Sequence, residues 1–465
     1  VLDRIMTLVD DTIRSRYDAE FLKALIRIKY EDETRTGLLI PSRLEKRLYK
    51  VFLSRTHIEN PYTREKASAN RAAARFLSSK RFVTELNRLE PELNVSEARS
   101  LSGIRQKILE IELTRRLSLL AHPELWTDRT RLPSEAAIRD IFHTPMTGNG
   151  LGLLKALCLG KSQKILWLAD QAGEIMADLA IARFLTRLGH LVILAVKEAP
   201  IFQSVCLADT RTDPALAQAL EGAHFIHGQT ISKNTLVKLL KHDNHLYVVS
   251  DGTREELNLL LASTTFSRIF KEADFIISRG DCQKRRLIDC RFHFTQTIIN
   301  ITARNHTLGI TRKPRHPSVI KFSHQQLEEK AGAIISQMKK AREKGMTVMF
   351  YSGIIGSIPG KIDVAKKIMS TFIAHLEKRS DDLFIINPSQ YYEPGMDADD
   401  LMYMWEIVQR SSFIDIWRFQ TSDDIAESFS LLRKNVPPEW IGKDATYSTG
   451  CTKEMRIAQD VLRKN

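Results

Sequence analysis

Hydrophobic positions follow two different rhythms along this chain of 465 residues. Up to about residue 145 they recur three and four apart. Phe21-Leu22, Leu25-Ile26 and Ile28 are one instance; Ile104, Ile108, Ile111, Leu113 and Leu117 are another. That spacing puts them on one face of a helix. Residues 1–145 are therefore expected to form a helical N-terminal region, interrupted at Glu59-Asn60-Pro61 and His122-Pro123. Past Thr147-Gly148-Asn149-Gly150 the rhythm changes. Short, mainly apolar runs at 165–169, 191–196, 245–249 and 274–277 read as buried strands, with a helix at 174–188. Such runs alternating with helices predict a mainly parallel sheet covered on both faces, hence a three-layer α/β core over 146–312. Thr311-Arg312-Lys313-Pro314-Arg315-His316-Pro317 reads as a linker. Beyond it a helix at 325–344 and strands at 347–351, 383–386 and 413–417 predict a second, smaller Rossmann-like α/β unit over 313–465.

Composition narrows the class. Apolar residues make up 43% and charged residues 27%, which is ordinary globular usage and excludes a disordered or collagenous chain. No window approaches 18 apolar residues in a row, so no membrane-spanning helix is expected. The five cysteines, Cys158, Cys206, Cys282, Cys290 and Cys451, form no CxxC pair, and no basic-then-apolar leader is visible at Val1. A reducing, cytoplasmic setting is expected, without a disulfide framework. The net charge of +13 is dispersed, with no run of like charges of the kind found in a nucleic-acid-binding tail. It leaves room for phosphorylated metabolites as partners.

In open parallel sheets ligands bind beyond the carboxyl ends of the strands. The first apolar run ends in Asp170-Gln171-Ala172-Gly173-Glu174, directly before a helix. The second leads through Lys197-Glu198-Ala199-Pro200 to Asp209-Thr210. The run at Phe275 ends in Ser278-Arg279-Gly280-Asp281. If Asp170 and Asp209 converge, two carboxylates and the Gln171 amide suit a hard divalent cation. Gly173 would let backbone approach, and the helix start would favour an anion. The alternative is that Asp170 merely caps its helix.

The stretch Leu166-Trp-Leu-Ala-Asp-Gln-Ala-Gly-Glu-Ile-Met-Ala-Asp178 resembles the Asp-Asn-Ala-Gly-Glu signature of the metal-dependent damage-control phosphatases. That family is also called domain of unknown function 89 and has an acidic-residue-methyltransferase-like fold. Three further stretches are similar and occur in the family's order: Asn60-Pro61-Tyr62-Thr-Arg-Glu-Lys66 with Asn70, Lys197-Glu-Ala-Pro200 with Asp209-Thr210, and Phe270-Lys-Glu-Ala-Asp-Phe-Ile-Ile-Ser-Arg-Gly-Asp281. The likeness spans about residues 60–310. It implies hydrolysis of phosphoric monoesters, sugar phosphates or damaged phosphometabolites, with a divalent metal (Mn, Mg, Co or Ni). By motif, Asp170, Gln171 and Asp209 would hold the metal, Asp170 and Asp209 would be catalytic, and Gly173, Glu174, Arg279, Gly280 and Asp281 would hold substrate. Gln171 replaces the family's usual Asn and Arg279 its usual Lys. The segment 297–309 lacks a clear counterpart of a late Lys, with Asn300 or Arg304 near its place. Nothing in the resemblance covers the chain beyond about 315.

Two other functions fit the same pattern: a non-catalytic ligand- or partner-binding protein on this scaffold, and a methyltransferase-like nucleotide-binding enzyme. The second lacks a GxGxxG fingerprint. Gly353-Ile-Ile-Gly356-Ser-Ile-Pro-Gly360-Lys361 follows a strand and precedes a helix. Its glycines and Lys361 are a candidate second ligand site, with a plain tight turn as the alternative. Cys451 reads as a residue of a Thr-Gly-Cys-Thr turn, and the pairs His224/His227 and His242/His245 as surface histidines.

Overall fold

The computed structural model describes residues 1–463 apart from 36, 38–39, 91–92, 94–99 and 128–131. The chain forms two compact units, Val1–Ile231 with Leu239–His316, and Ser232–Lys238 with Pro317–Asn465.

In the first unit the eight strands are β1 (Met146–Thr147), β2 (Lys164–Leu168), β3 (Leu191–Val196), β4 (His224–Ile226), β5 (Leu246–Ser250), β6 (Phe275–Arg279), β7 (Thr297–Arg304) and β8 (Thr307–Lys313), in the order β1-β8-β7-β6-β2-β3-β5-β4. All neighbours are parallel except β7 and β8. Every residue of β3, β5 and β6 is buried, which is why these strands read as mainly apolar runs. Two groups of N-terminal helices matter for the strand ends. Leu2–Thr12, Arg16–Thr34 and Pro41–Thr56 close their own core, including Leu8, Ile26, Leu48 and Phe52, over Ile201 and Phe202 of the loop after β3. Thr63–Leu77 sends Ala73 and Phe76 into the main core under the sheet. Burying each such large side chain contributes about 1.5–3 kcal/mol. The helices thereby hold the loops that leave β2 and β3.

The second unit has a parallel three-stranded sheet in the order β10-β9-β11, with β9 (Thr347–Ser352), β10 (Leu383–Ile386) and β11 (Ile416–Phe419). The helix His324–Glu343 starts with a Ser323/Gln326 capping box. Its Ile334 and Met338 pack with Phe350, Met404 and Trp405. Val237, from the short segment Ser232–Lys238, joins the same core.

The expected classes hold, with local differences. Residues 297–309 do not trail off after the last strand. They enter the β7–β8 hairpin, which turns at Asn305 (φ 47°) and His306 (φ 52°). Two positive φ values suit a tight hairpin turn. β11 begins three residues later than the apolar run at 413–417, because Ile414 is buried in the core ahead of the strand. Cys451 lies buried in the first turn of the helix Thr449–Leu462 rather than in a loop, and burial pushes its thiol up to about 12.

Candidate active site at the strand ends

Beyond β2 the chain is tied to the loop after β3. Val205 N donates to Asp170 O at 2.9 Å and Ala172 N to Gln203 O at 3.0 Å. The turn at Gly173 has φ +81°, and a Cβ there would meet Trp126 at 2.6 Å, so only glycine fits. These constraints set the Asp170 carboxylate at the end of β2. Its one side-chain hydrogen bond among the described residues comes from Ser204 Oγ, a long 3.4 Å. A Cβ on Gly280 would lie 3.8 Å from Asp170 Oδ2, so the glycine after β6 leaves room beside that oxygen. Asp170 and Gln171 line a cavity of 290 Å³ with Lys197, Ser204, Arg4 and Arg286.

Behind Asp170 lies a buried guanidinium. Arg279 Nη1 donates to Asp178 Oδ1 at 3.0 Å, and Nη2 forms an ion pair with Glu174 Oε2 at 3.0 Å. Burial works against its charge, but Asp178 and Glu174 outweigh it and raise its pKa. Burial lifts the Asp178 carboxyl to about 7, against the pull of Arg279. Burial, then repulsion from Glu174, also raises Asp170, while Arg279 and Lys197 act the other way. Three carboxylates thus face one guanidinium in a poorly hydrated place, with Lys197, Arg4 and Arg286 in the lining of the cavity in front. Asp178 Oδ2 is buried without a partner among the described residues. Oxygen donors from Asp170, Gln171 and Ser204 are of the kind that hard divalent ions take. The residues present therefore fit a metal.

Asp209 has other partners than the sequence suggests. Its Oδ2 accepts from Lys66 Nζ at 3.0 Å and from Cys206 N at 2.9 Å, and its Oδ1 from Asn60 Nδ2 at 3.1 Å. Lys66 Nζ also reaches Ser204 O at 2.7 Å. The residue beside Asp170 is Ser204, and Asp209 does not line the cavity. Asp209 thus anchors the loop that carries Ser204 to the helix Thr63–Leu77. Asn70 works alongside it, accepting from Gly173 N at 2.6 Å and donating to Asp213 at 2.7 Å. That bond occupies the N–H of Gly173, at the helix start expected to favour an anion.

Of the other expected residues, Glu174 is bound to Arg279, and Asp281 pairs with Arg304 at 2.9 Å toward solvent. Asn300 is buried in β7, where Nδ2 donates to Ser278 Oγ and, at 3.3 Å, to Gly280 O. Lys197 is a cavity residue whose Nζ lies 2.6 Å from Asp251 Oδ2. Ser204, Arg4 and Arg286 carried no motif signal, whereas Lys197 opens the Lys197-Glu-Ala-Pro200 stretch. Only the loop's proximity to Pro200 and Asp209 hinted at Ser204. In the second unit Gly353 and Gly356 line a separate cavity of 390 Å³ with Tyr392, Trp405, Ser448 and Glu454. Gly360 and Lys361 do not line it, and Lys361 Nζ pairs with Glu439 at 2.8 Å. Gly356 does not need the left-handed backbone, whereas Gly360 does, at φ +70°.

Residues 2–308 match the family described as the damage-control phosphatase ARMT1-like domain. The chain belongs to this family. ARMT1-like membership supports a phosphatase-type role and small phosphorylated metabolites as the general substrate class, in a metal-dependent family. A DUF89 family protein from Pyrococcus horikoshii, known from a crystal structure, is similar at 16% identity over 67% of this chain and 95% of its own, with a TM-score of 0.45. No curated protein matches the sequence. No helix among the described residues is long and apolar enough to cross a membrane.

Proposed function

We propose that this ARMT1-like protein hydrolyses phosphoric monoesters of small metabolites, with a divalent cation held by Asp170 and Gln171 and with Ser204 as a neighbouring oxygen donor. The observation that carries the reading is the Asp170 carboxylate. It lines a cavity, has a single long hydrogen bond, and looks onto the space left by Gly280. When bound, the cation neutralises phosphoryl oxygens and polarises the attacking group. The chain's own residues do the rest. Arg4, Lys197 and Arg286 put positive charge around the cavity and favour entry of a phosphate. Arg4 and Arg286 are steadied by a shared partner, Glu256. Arg279 holds Glu174 and Asp178, so that the helix after Gly173 and the end of β6 keep their places beside Asp170. Asp209, with Lys66 and Asn60, fixes the Ser204 loop.

The test is phosphate release from a panel of sugar and nucleotide monophosphates with Mg²⁺, Mn²⁺, Co²⁺ or Ni²⁺. Release should require the cation. Asp170→Asn should abolish it, while Asp209→Asn should lower the melting temperature and raise the cation requirement about 10- to 100-fold. Release without any divalent ion would refute the reading. A non-catalytic protein on this scaffold would bind cation and ester and release nothing.

A further inference from the structure

Outside the Asp170 cavity, three metal-type ligands converge in the first unit. His122 follows the short helical turn Leu119–Ala121, Glu124 opens the next helix, and His306 sits in the β7–β8 turn, 184 residues from His122. His122 Nδ1 lies 2.8 Å from Glu124 Oε1 and 3.1 Å from His306 Nδ1, and His306 Nδ1 lies 3.6 Å from Glu124 Oε1. All three ligand atoms fall within 4.8 Å of one another. A tetrahedral ion with bonds of about 2.0–2.1 Å needs its ligands about 3.3 Å apart, and the three separations scatter around that value.

A second observation concerns the far side of the His122 ring. Thr144 Oγ1 donates to Ile141 O at 2.6 Å, so its hydroxyl proton is committed. His122 Nε2 lies 2.9 Å from the same oxygen, which must therefore accept from Nε2–H. In neutral His122 that leaves Nδ1 as a bare lone pair. It faces a carboxylate oxygen at 2.8 Å and a second imidazole nitrogen at 3.1 Å, contacts that call for a proton or a metal cation between them. Donation of the remote ring N–H to an oxygen is also how proteins orient metal-binding histidines.

We infer that His122, Glu124 and His306 form a binding site for a borderline divalent cation of the zinc class. Two imidazoles and one carboxylate suit Zn²⁺, Co²⁺ or Ni²⁺ rather than Mg²⁺. The exposed His306 side leaves a fourth position to solvent. The site shares no residue with the Asp170 cavity and does not depend on the proposed hydrolysis. Bound there, the cation would tie the segment after Ala121 to the β7–β8 hairpin.

The probe is Co²⁺ added to chelator-treated full-length protein, read by the visible absorption of tetrahedral cobalt and by competition with Zn²⁺. One tetrahedral equivalent is expected in the wild type and in Asp170→Asn. His306→Asn, which tolerates the left-handed turn, should lose the signal with an unchanged melting temperature. Thr144→Val should weaken Zn²⁺ binding about 10- to 100-fold. A wild type without the tetrahedral signal, or a signal surviving in His306→Asn, overturns the site. A signal lost in Asp170→Asn but kept in His306→Asn assigns the ion to the strand ends, which also overturns it and leaves the proposed function standing.

Discussion

The ends of β2 and β9 are built alike and furnished differently. Each is the carboxyl end of a parallel strand, each passes through glycine toward a helix, and each opens on a cavity. At β2 the surroundings are charged: Asp170, Lys197, Arg4 and Arg286 line the space, with Arg279 and Asp178 buried behind it. At β9 they are aromatic and apolar, with Tyr392, Met396 and Trp405, and the buried charge is the single acid Glu454. Parallel topology supplies a crevice in both places. What fills it follows from side chains: the β2 end mixes carboxylates with Lys197, Arg4 and Arg286, while the β9 cavity is lined by Asp397 and Glu454 and, among the described residues, by no basic side chain.

The largest expected effect tests the buried charge at the β2 end. Arg279→Met leaves Asp178 buried without its partner, and should cost about 3–5 kcal/mol in denaturant unfolding. Unchanged stability would mean that the charge is not what distinguishes this end. Asp170→Asn comes next. It should reduce cation-dependent phosphate release about 100- to 1000-fold, the usual scale for removing one preorganised charged group, with the fold intact by circular dichroism.

A smaller effect belongs to the β9 end. Burial lifts Glu454 to about 7, although Ser352 Oγ donates to it. An unfolded glutamate titrates near about 4.3. The folded value is the higher one, so this group's contribution to stability is complete below about 4.3 and is lost as pH rises toward about 7. Glu454→Gln should flatten that part of the pH profile and gain on the order of 2 kcal/mol at pH 8 in thermal or denaturant unfolding. A profile identical to wild type would show that Glu454 is ionised and that the β9 end is more polar than it looks. The smallest effect is Lys361→Ala. Its partner Glu439 is at the surface, so the melting temperature should not move. Weakened binding of a phosphate ester in that variant would bring the two strand ends closer in character.

Much of this contrast was legible in the sequence. β2, β3, β5 and β6 stand out because strands buried on both faces carry mainly apolar runs, and Asp170, Gln171 and Gly280 are found by looking just past them. The hairpin β7–β8 hid because only Ile298–Ile301 of β7 are consecutively buried, with the polar Asn300 among them, because β8 alternates, and because its turn is Asn-His rather than Asn-Gly. β4 hid because it has three residues. The pairing of Asp209 with Lys66 could not be read, since the two lie 143 positions apart and a buried ion pair leaves no periodic trace. Ser204 gave no sign for a similar reason. A serine in a loop becomes chemistry only when Val205 N and Asp170 O pair and bring it to the carboxylate.

The segment Ser232–Lys238 sets a condition on how this chain can be made and cut. It is synthesised some 80 residues before Pro317, yet Val237 belongs to the core of the second unit, and Lys233 is buried against Asp400 there. On the ribosome those residues must wait, folded on nothing of their own unit, until the C-terminal strands emerge. A protein ending at His316 would keep them without their core, exposing an apolar face and a lysine selected for burial. A fragment beginning at Pro317 would lack a piece of its own interior. The polypeptide crosses between the units three times, and insertion of one into the sequence of the other makes gene-level separation of the two costly.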